Sequence, residues 1–214
     1  MIELCFTHAD LGQDALYRPL ATKCLETWEA VTGAPSAQFR DMTSPHVGAG
    51  RKVIRKDFTR NQFSLKRTEC LKDYARHARG NLVATDCDME WRASPAPLFD
   101  EDFDIGLCWR TGNPGMPYYA GFVMVRHGSE AAVQFLTEWW FTIATLPAEA
   151  QTWWGDQWAL AAMLGRGEPN TTKDFMGAKV RLFDAGRVFF NMQAKDQTPP
   201  DGVYAIHRKG AKKE

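Results

Sequence analysis

Two carboxylates stand one residue apart at Asp86 and Asp88, in the run Thr85-Asp86-Cys87-Asp88. They follow Leu82-Val83-Ala84, a short apolar stretch with the composition of a strand buried on both faces. In open α/β sheets, ligands sit outside the carboxyl ends of strands. Paired carboxylates at such an end can share one divalent cation. Mn2+ and Mg2+ prefer carboxylate oxygen and recruit substrate phosphates to complete their shell. The same spacing also fits a turn whose carboxylates cap the next segment.

The second chemical cluster is His207-Arg208-Lys209-Gly210-Ala211-Lys212-Lys213. A histidine ending a short strand can give a ring nitrogen to Mn2+. Gly210 allows close backbone approach to a phosphate, and the lysines beyond it can neutralise a diphosphate leaving group. A solvated basic tail is the alternative reading of these residues. Two tryptophan doublets, Trp139-Trp140 and Trp153-Trp154, offer faces for stacking on sugars or bases. Adjacent rings on a helix point about 100° apart, so one of each pair is expected in the core.

Elements to position these residues can be read from periodicity and stop signals. A first strand is expected over 2–7 and a helix over 14–31, stopped by Gly33. A second strand fits 37–42, and a loop rich in Gly and basic residues fits 43–60. A helix over 61–79, stopped by Gly80, leads into the strand 81–85. Further strands fit 103–109 and 118–125. Ser129 is placed to cap a helix running to about 145. Another helix fits 156–164, and short strands fit 179–183, 188–191 and 202–207. Strand and helix alternate early and mix later, which implies an α/β fold with a mixed, mostly parallel sheet flanked by helices.

The 214 residues fit a single domain spanning 1–214, and the aromatics are plentiful enough for a sizeable core. Formal charge is zero, but it is unevenly distributed. Residues 40–79 hold eleven Arg or Lys against four Asp or Glu, and residues 86–104 hold seven acids against one Arg. That asymmetry suits a site holding both a polyanion and a cation, and equally suits two solvated faces. No apolar run approaches the roughly 18 residues of a membrane span, and the first residues lack a signal sequence. Five scattered cysteines without a CxxC pair point to reduced thiols and a cytoplasmic protein.

In order along the chain stand Asp86-Cys87-Asp88, then Gly121 within Tyr119-Ala120-Gly121-Phe122, then Gly155-Asp156-Gln157, then His207-x-x-Gly210-x-x-Lys213. This series resembles the GT-A-fold glycosyltransferases, closest in pattern to the retaining glycogenin-like and bacterial galactosyltransferase-like enzymes. The agreement in order and approximate spacing runs from residue 2 to residue 213. The resemblance implies a nucleotide-diphosphate sugar as donor and Mn2+ or Mg2+ bound by Asp86, Asp88 and His207. It implies that Phe6, Thr7 and His8 line the base pocket. Lys66 and Arg67 would lie against donor and carboxylate, and Gly210 and Lys213 would hold the diphosphate. Asp156 and Gln157 would face the sugar and act in catalysis. Two departures stand out: Tyr119-Ala120 replaces the family's Asn-Ser, and the family's Lys-Pro-Trp ending does not follow Lys213.

The acceptor class is open to a saccharide, a protein or a modified nucleic acid. A second reading is a nucleic-acid-associated protein. It rests on the basic stretch 51–79 with Phe58 and Phe63 interleaved, either as a binding module or as a transferase glycosylating a modified DNA base. A nucleotidyltransferase or metal-dependent hydrolase is less favoured, because Thr7-His8-Ala9-Asp10-Leu11-Gly12 is not a Gly-rich, Lys/Arg-bearing phosphate loop.

Overall fold

The computed structural model describes residues 1–8, 14–33, 40–41, 62–152, 154–192 and 197–208. The expected loop over 43–60, Trp153, Gly210 and Lys213 lie outside the described residues, and Phe6, Thr7 and His8 are placed by their backbone.

A seven-stranded sheet is the centre of the molecule. Its strands are β1 (Ile2–His8), β2 (Arg40–Asp41), β3 (Asn81–Thr85), β5 (Ile105–Trp109), β6 (Tyr118–Val125), β7 (Thr171–Phe175) and β8 (Ala178–Asp184). The spatial order is β2-β1-β3-β6-β5-β8-β7. Parallel pairings join β2 to β1, β1 to β3 and β5 to β8, while β6 and β7 pair antiparallel with their neighbours. Five of the seven strands therefore point the same way, as a mixed, mostly parallel sheet requires. A second sheet of three short strands, β4 (Met89–Trp91), β9 (Phe189–Met192) and β10 (Ala205–Arg208), has the order β4-β10-β9.

Helices cover both faces. On one side α1 (Asp14–Thr32) inserts Ala21, Cys24 and Trp28 against Leu4, Val83, Trp91 and Phe122. On the other side lie α2 (Phe63–Ala75), α3 (Glu130–Thr145) and α4 (Gly155–Leu164). Ala132, Phe135, Leu136, Trp139 and Ile143 form one apolar stripe of α3, which packs with Leu82, Ala84, Ile105 and Val123. β3 is buried on both faces because its alternate residues enter the two clusters: Leu82 and Ala84 one, Val83 the other. A four-residue helix, α5 (Ala185–Val188), links β8 to β9.

The pairing of β5 with β6 shifts register between Leu107 and Cys108. Leu107 opposes Val123, but Cys108 opposes Tyr119, so β6 bulges at Ala120-Gly121-Phe122. Below the bulge the odd-numbered Val123 and Val125 face α3. Above it the even-numbered Tyr118 and Ala120 take that face, and Tyr119 turns to the opposite one. Three residues of β6, 120–122, thus have no partner on β5, and an odd number of extra residues in a ladder re-aims the side chains beyond it.

The expected strands at 81–85 and 118–125 have the observed bounds, and the other expected elements match to within a few residues. The sequence reading lacked β4 and β7. β4 has only three residues, too few for alternation to register. β7 is an edge strand of mostly polar residues, Thr171-Thr172-Lys173-Asp174-Phe175. Its hairpin to β8 turns through Met176 and Gly177 at φ 51° and 84°, a two-residue turn with positive φ at both positions where Asn-Gly would have been the readable signal.

Ser129 caps α3 as expected. Its Oγ accepts from the Ala132 N–H at 3.0 Å and donates to Asp104 Oδ1 at 2.6 Å. Ser129→Ala should lower stability by about 1 kcal/mol, seen as a lower urea midpoint with an unchanged slope.

Candidate functional site

The carboxyl ends of β1 and β3 lie side by side, with Phe6 in register with Thr85. The chain leaves β3 through Asp86-Cys87-Asp88 and enters β4 of the small sheet. β10 pairs with β4 so that His207 opposes Met89, and the Arg208 N–H donates to Asp88 O at 3.0 Å. The two motifs, far apart in sequence, are thereby fixed against each other. One ligand atom each from Asp86, Asp88 and His207 falls within a 4.8 Å cluster. His207 Nε2 is 3.2 Å from Asp88 Oδ1 and 3.8 Å from Asp86 Oδ2.

These residues fit a hard divalent cation. Asp88 Oδ1 is buried and accepts no hydrogen bond from the described residues, although a buried carboxylate oxygen left without a partner is costly. Two carboxylates and an imidazole are a donor set suited to Mn2+.

Around the cluster stands a layer of supporting side chains. Tyr119 Oη donates to Asp86 Oδ2 at 2.7 Å and lies 3.1 Å from His207 Nδ1. Burial, with Asp86 and Asp88 adding to it, pushes the Tyr119 phenol well above its ordinary pKa, so the hydroxyl keeps its proton. Gly121 makes this closeness possible. A Cβ there would lie 2.2 Å from Asp86 Oδ2 and 2.3 Å from Tyr119 Oη. Its carbonyl also accepts the Asp86 N–H at 3.0 Å.

Arg67 reaches in from α2. Its Nη1 is 2.9 Å from Asp86 Oδ1 and 3.8 Å from Asp156 Oδ2. Burial pulls its pKa down, but Asp86 and Asp156 outweigh burial and leave it above its ordinary value. Lys66, one position earlier, turns to the helix surface and pairs with Glu69 at 2.7 Å. Asp156 and Gln157 are both buried in the first turn of α4. Asp156 Oδ1 accepts the Gln157 N–H at 2.8 Å, and Trp139 Nε1 donates to the Asp156 carbonyl at 2.9 Å. The Gln157 amide oxygen accepts from Arg110 Nη2, which also donates to the Tyr118 carbonyl at 2.9 Å.

The structure thus groups Asp86, Asp88, His207, Arg67, Asp156 and Gln157. Of the first doublet, Trp139 is core and Trp140 carries Lys72 Nζ 4.7 Å from its ring centroid. Trp154 is 44% exposed and Trp158, one turn on, 45%, so these two are the faces open to a ligand. The sequence reading missed Tyr119, Arg110 and Asn191 as supporting residues. A tyrosine two residues before a strand glycine, and an arginine just past a strand end, were weak signals for the first two.

The Asp156 carboxyl is raised from 3.8 to about 6, first by desolvation and then by Asp86, against the pull of Arg67. A folded-state value above the unfolded one means that stability is fully present below about pH 4 and is lost as pH rises through about 6. The loss amounts to about 3 kcal/mol at about 1.4 kcal/mol per pH unit. Asp156→Asn should accordingly be more stable than the parent chain by up to about 3 kcal/mol at pH 8, and no more stable at pH 4. Urea unfolding in a chelating buffer at both pH values measures this. Gly121→Ala should cost about 1–3 kcal/mol through overpacking. Adding Tyr119→Phe should recover part of that loss, as a double-mutant cycle would record.

No protein-family model matches the chain, and neither does any curated protein. Solved structures do match. One is a glycosyltransferase involved in the glycosylation of the major capsid of PBCV-1, with 11% identity over 96% of this chain and 92% of that one, at a TM-score of 0.64. Another is the galactosyltransferase LgtC in complex with donor and acceptor sugar analogs, with 15% identity over 99% of this chain and 88% of that one, at a TM-score of 0.50. At such identities the likeness is one of fold, and the fold is that of the GT-A glycosyltransferases.

Proposed function

We propose that this chain is a metal-dependent glycosyltransferase. It moves a sugar from a nucleotide-diphosphate sugar to a hydroxyl acceptor, with retention at the anomeric carbon. The observation that carries the reading is the convergence of Asp86, Asp88 and His207 beside Arg67 and Asp156, with Asp88 Oδ1 buried and accepting no hydrogen bond from the described residues. Asp86, Asp88 and His207 would hold Mn2+ or Mg2+, which when bound supplies positive charge to the departing diphosphate.

The chain's own residues divide the remaining work. Arg67 keeps Asp86 and Asp156 together while holding positive charge against the donor. Asp156, buried and ionised above about pH 6, stabilises the positive charge that develops at the anomeric carbon. Gln157 faces the sugar with its amide oriented by Arg110. Phe6, Thr7 and His8 at the end of β1 receive the base, and Gly210 and Lys213 take the diphosphate. The acceptor oxygen forms its bond to the anomeric carbon as the bond to the diphosphate breaks, and the hydroxyl proton passes to the leaving phosphate. Retention accords with Asp156 being held against Arg67 rather than placed as a free base, and with the family resemblance.

Among the described residues no observation favours the nucleic-acid reading. Basic residues of α2 have acidic partners: Lys66 pairs with Glu69 and Arg76 with Asp73 at the surface, and the buried Arg67 with Asp86. Among the described residues no helix is long and apolar enough to cross a membrane. None of the five cysteines is in a disulfide, which supports a reducing compartment, the cytoplasm.

A thermal-shift screen of nucleotide sugars with and without Mn2+ tests the proposal. One donor should raise the melting temperature in Mn2+, by the equivalent of about 2.7 kcal/mol at a hundredfold excess over Kd. Asp88→Ala should abolish the shift. If no donor shifts the protein in Mn2+, the proposal fails. The anomeric configuration of the product, read by NMR, decides retention.

A further inference from the structure

We propose that Asn191 is a positioning residue that fixes the tautomer of His207 and so presents Nε2 to the cation. The inference rests on the metal site proposed above and extends it to a residue outside the ligand set.

The argument starts from the sheet. β9 and β10 are parallel, and Asn191 is the register partner of His207. Asn191 Oδ1 lies 2.9 Å from His207 Nδ1. The amide oxygen can only accept, so it demands a proton on Nδ1. The other group near Nδ1 makes the same demand. Tyr119 has one hydroxyl proton, and it is given to Asp86 Oδ2 at 2.7 Å. Toward His207 Nδ1, 3.1 Å away, Tyr119 therefore offers only a lone pair. Tyr119 Oη also lies 3.4 Å from Nε2, so Asn191 Oδ1 is the acceptor that singles out Nδ1, and it holds the ring proton there when Nε2 faces a cation.

The other nitrogen is then left with its lone pair, facing Asp88 Oδ1 at 3.2 Å and Asp86 Oδ2 at 3.8 Å. The Nε2 lone pair then meets two carboxylate oxygens, an arrangement that a divalent cation relieves. Ligating histidines commonly give their second N–H to an oxygen acceptor, which orients the ring and raises its basicity. The ring is held sideways as well: its centroid is 5.6 Å from that of Tyr119 and 6.1 Å from that of Phe189. Packing thus limits the swing of the ring, and Asn191 chooses which nitrogen carries the proton.

The test is Mn2+ affinity by titration calorimetry on the full chain, for the parent, Asn191→Leu, Asn191→Asp and Asp88→Ala. Asn191→Leu removes the acceptor and should weaken Mn2+ binding by about 10–100-fold. Asn191→Asp keeps an acceptor and should bind as tightly as the parent or tighter. Leucine binding like the parent overturns the inference, as does aspartate binding as weakly as leucine. Nitrogen NMR of His207 in the Mg2+-loaded parent gives a check that needs no variant: a proton on Nδ1 is expected, and a proton on Nε2 overturns the inference. If the parent binds no Mn2+ that Asp88→Ala removes, the metal-site reading itself fails and this inference falls with it. If that binding is present but indifferent to Asn191, only the inference fails.

Discussion

Among the described residues Arg67 is the cation in contact with both Asp86 and Asp156, and its guanidinium is what lets two carboxylates from distant parts of the chain sit close together. Buried like charges repel strongly in a medium of low polarity, and each costs free energy to desolvate. The residue joins three elements: it rises from α2, meets Asp86 at the end of β3 and reaches Asp156 at the start of α4. Its neutralisation of Asp156 is only partial, since that carboxyl remains raised to about 6. Buried acids with raised pKa values are the kind of group that functional sites gather.

The bulge in β6 answers a second constraint, the need to crowd a phenol, a carboxylate and an imidazole into one small space. Without the bulge, Tyr119 would share the face of Val123 and Val125 and lie among the apolar side chains beneath α3. With it, the hydroxyl reaches Asp86 and His207 from the opposite face. Glycine at 121 gives room for that turn, because any side chain there would meet the same two groups. Tyr119-Ala120, where the enzymes that the sequence resembles usually have Asn-Ser, thus has a structural role: the phenol supports Asp86 and His207.

His207 joins this arrangement through the small sheet. β4 is only three residues long, yet it begins directly after Asp88, and β10 pairs along it. The carboxylate pair and the histidine are therefore tied together by backbone hydrogen bonds as well as by side chains. β9, on the far side of β10, supplies Asn191 behind the ring. Backbone pairing fixes these positions, and a functional constellation requires them to be held to within about 0.5 Å.

Local pattern was sufficient for much of this molecule. The buried strand before Asp86, the strand carrying Gly121, the Ser129 cap and the helix opening on Asp156 follow from apolar periodicity and capping chemistry, which act between near neighbours in sequence. The order of Asp86-Cys87-Asp88, Gly121, Asp156-Gln157 and His207 sufficed to expect the fold and the metal ligands. Tertiary structure alone decided the rest. Lys66 and Arg67 are adjacent and chemically alike, and only the rotation of α2 sends one to the surface and the other inward. The bulge, the facing of Tyr119 and the pairing of Asn191 with His207 depend on register between strands. Register is set by long-range pairing that leaves no trace in the local order of residues.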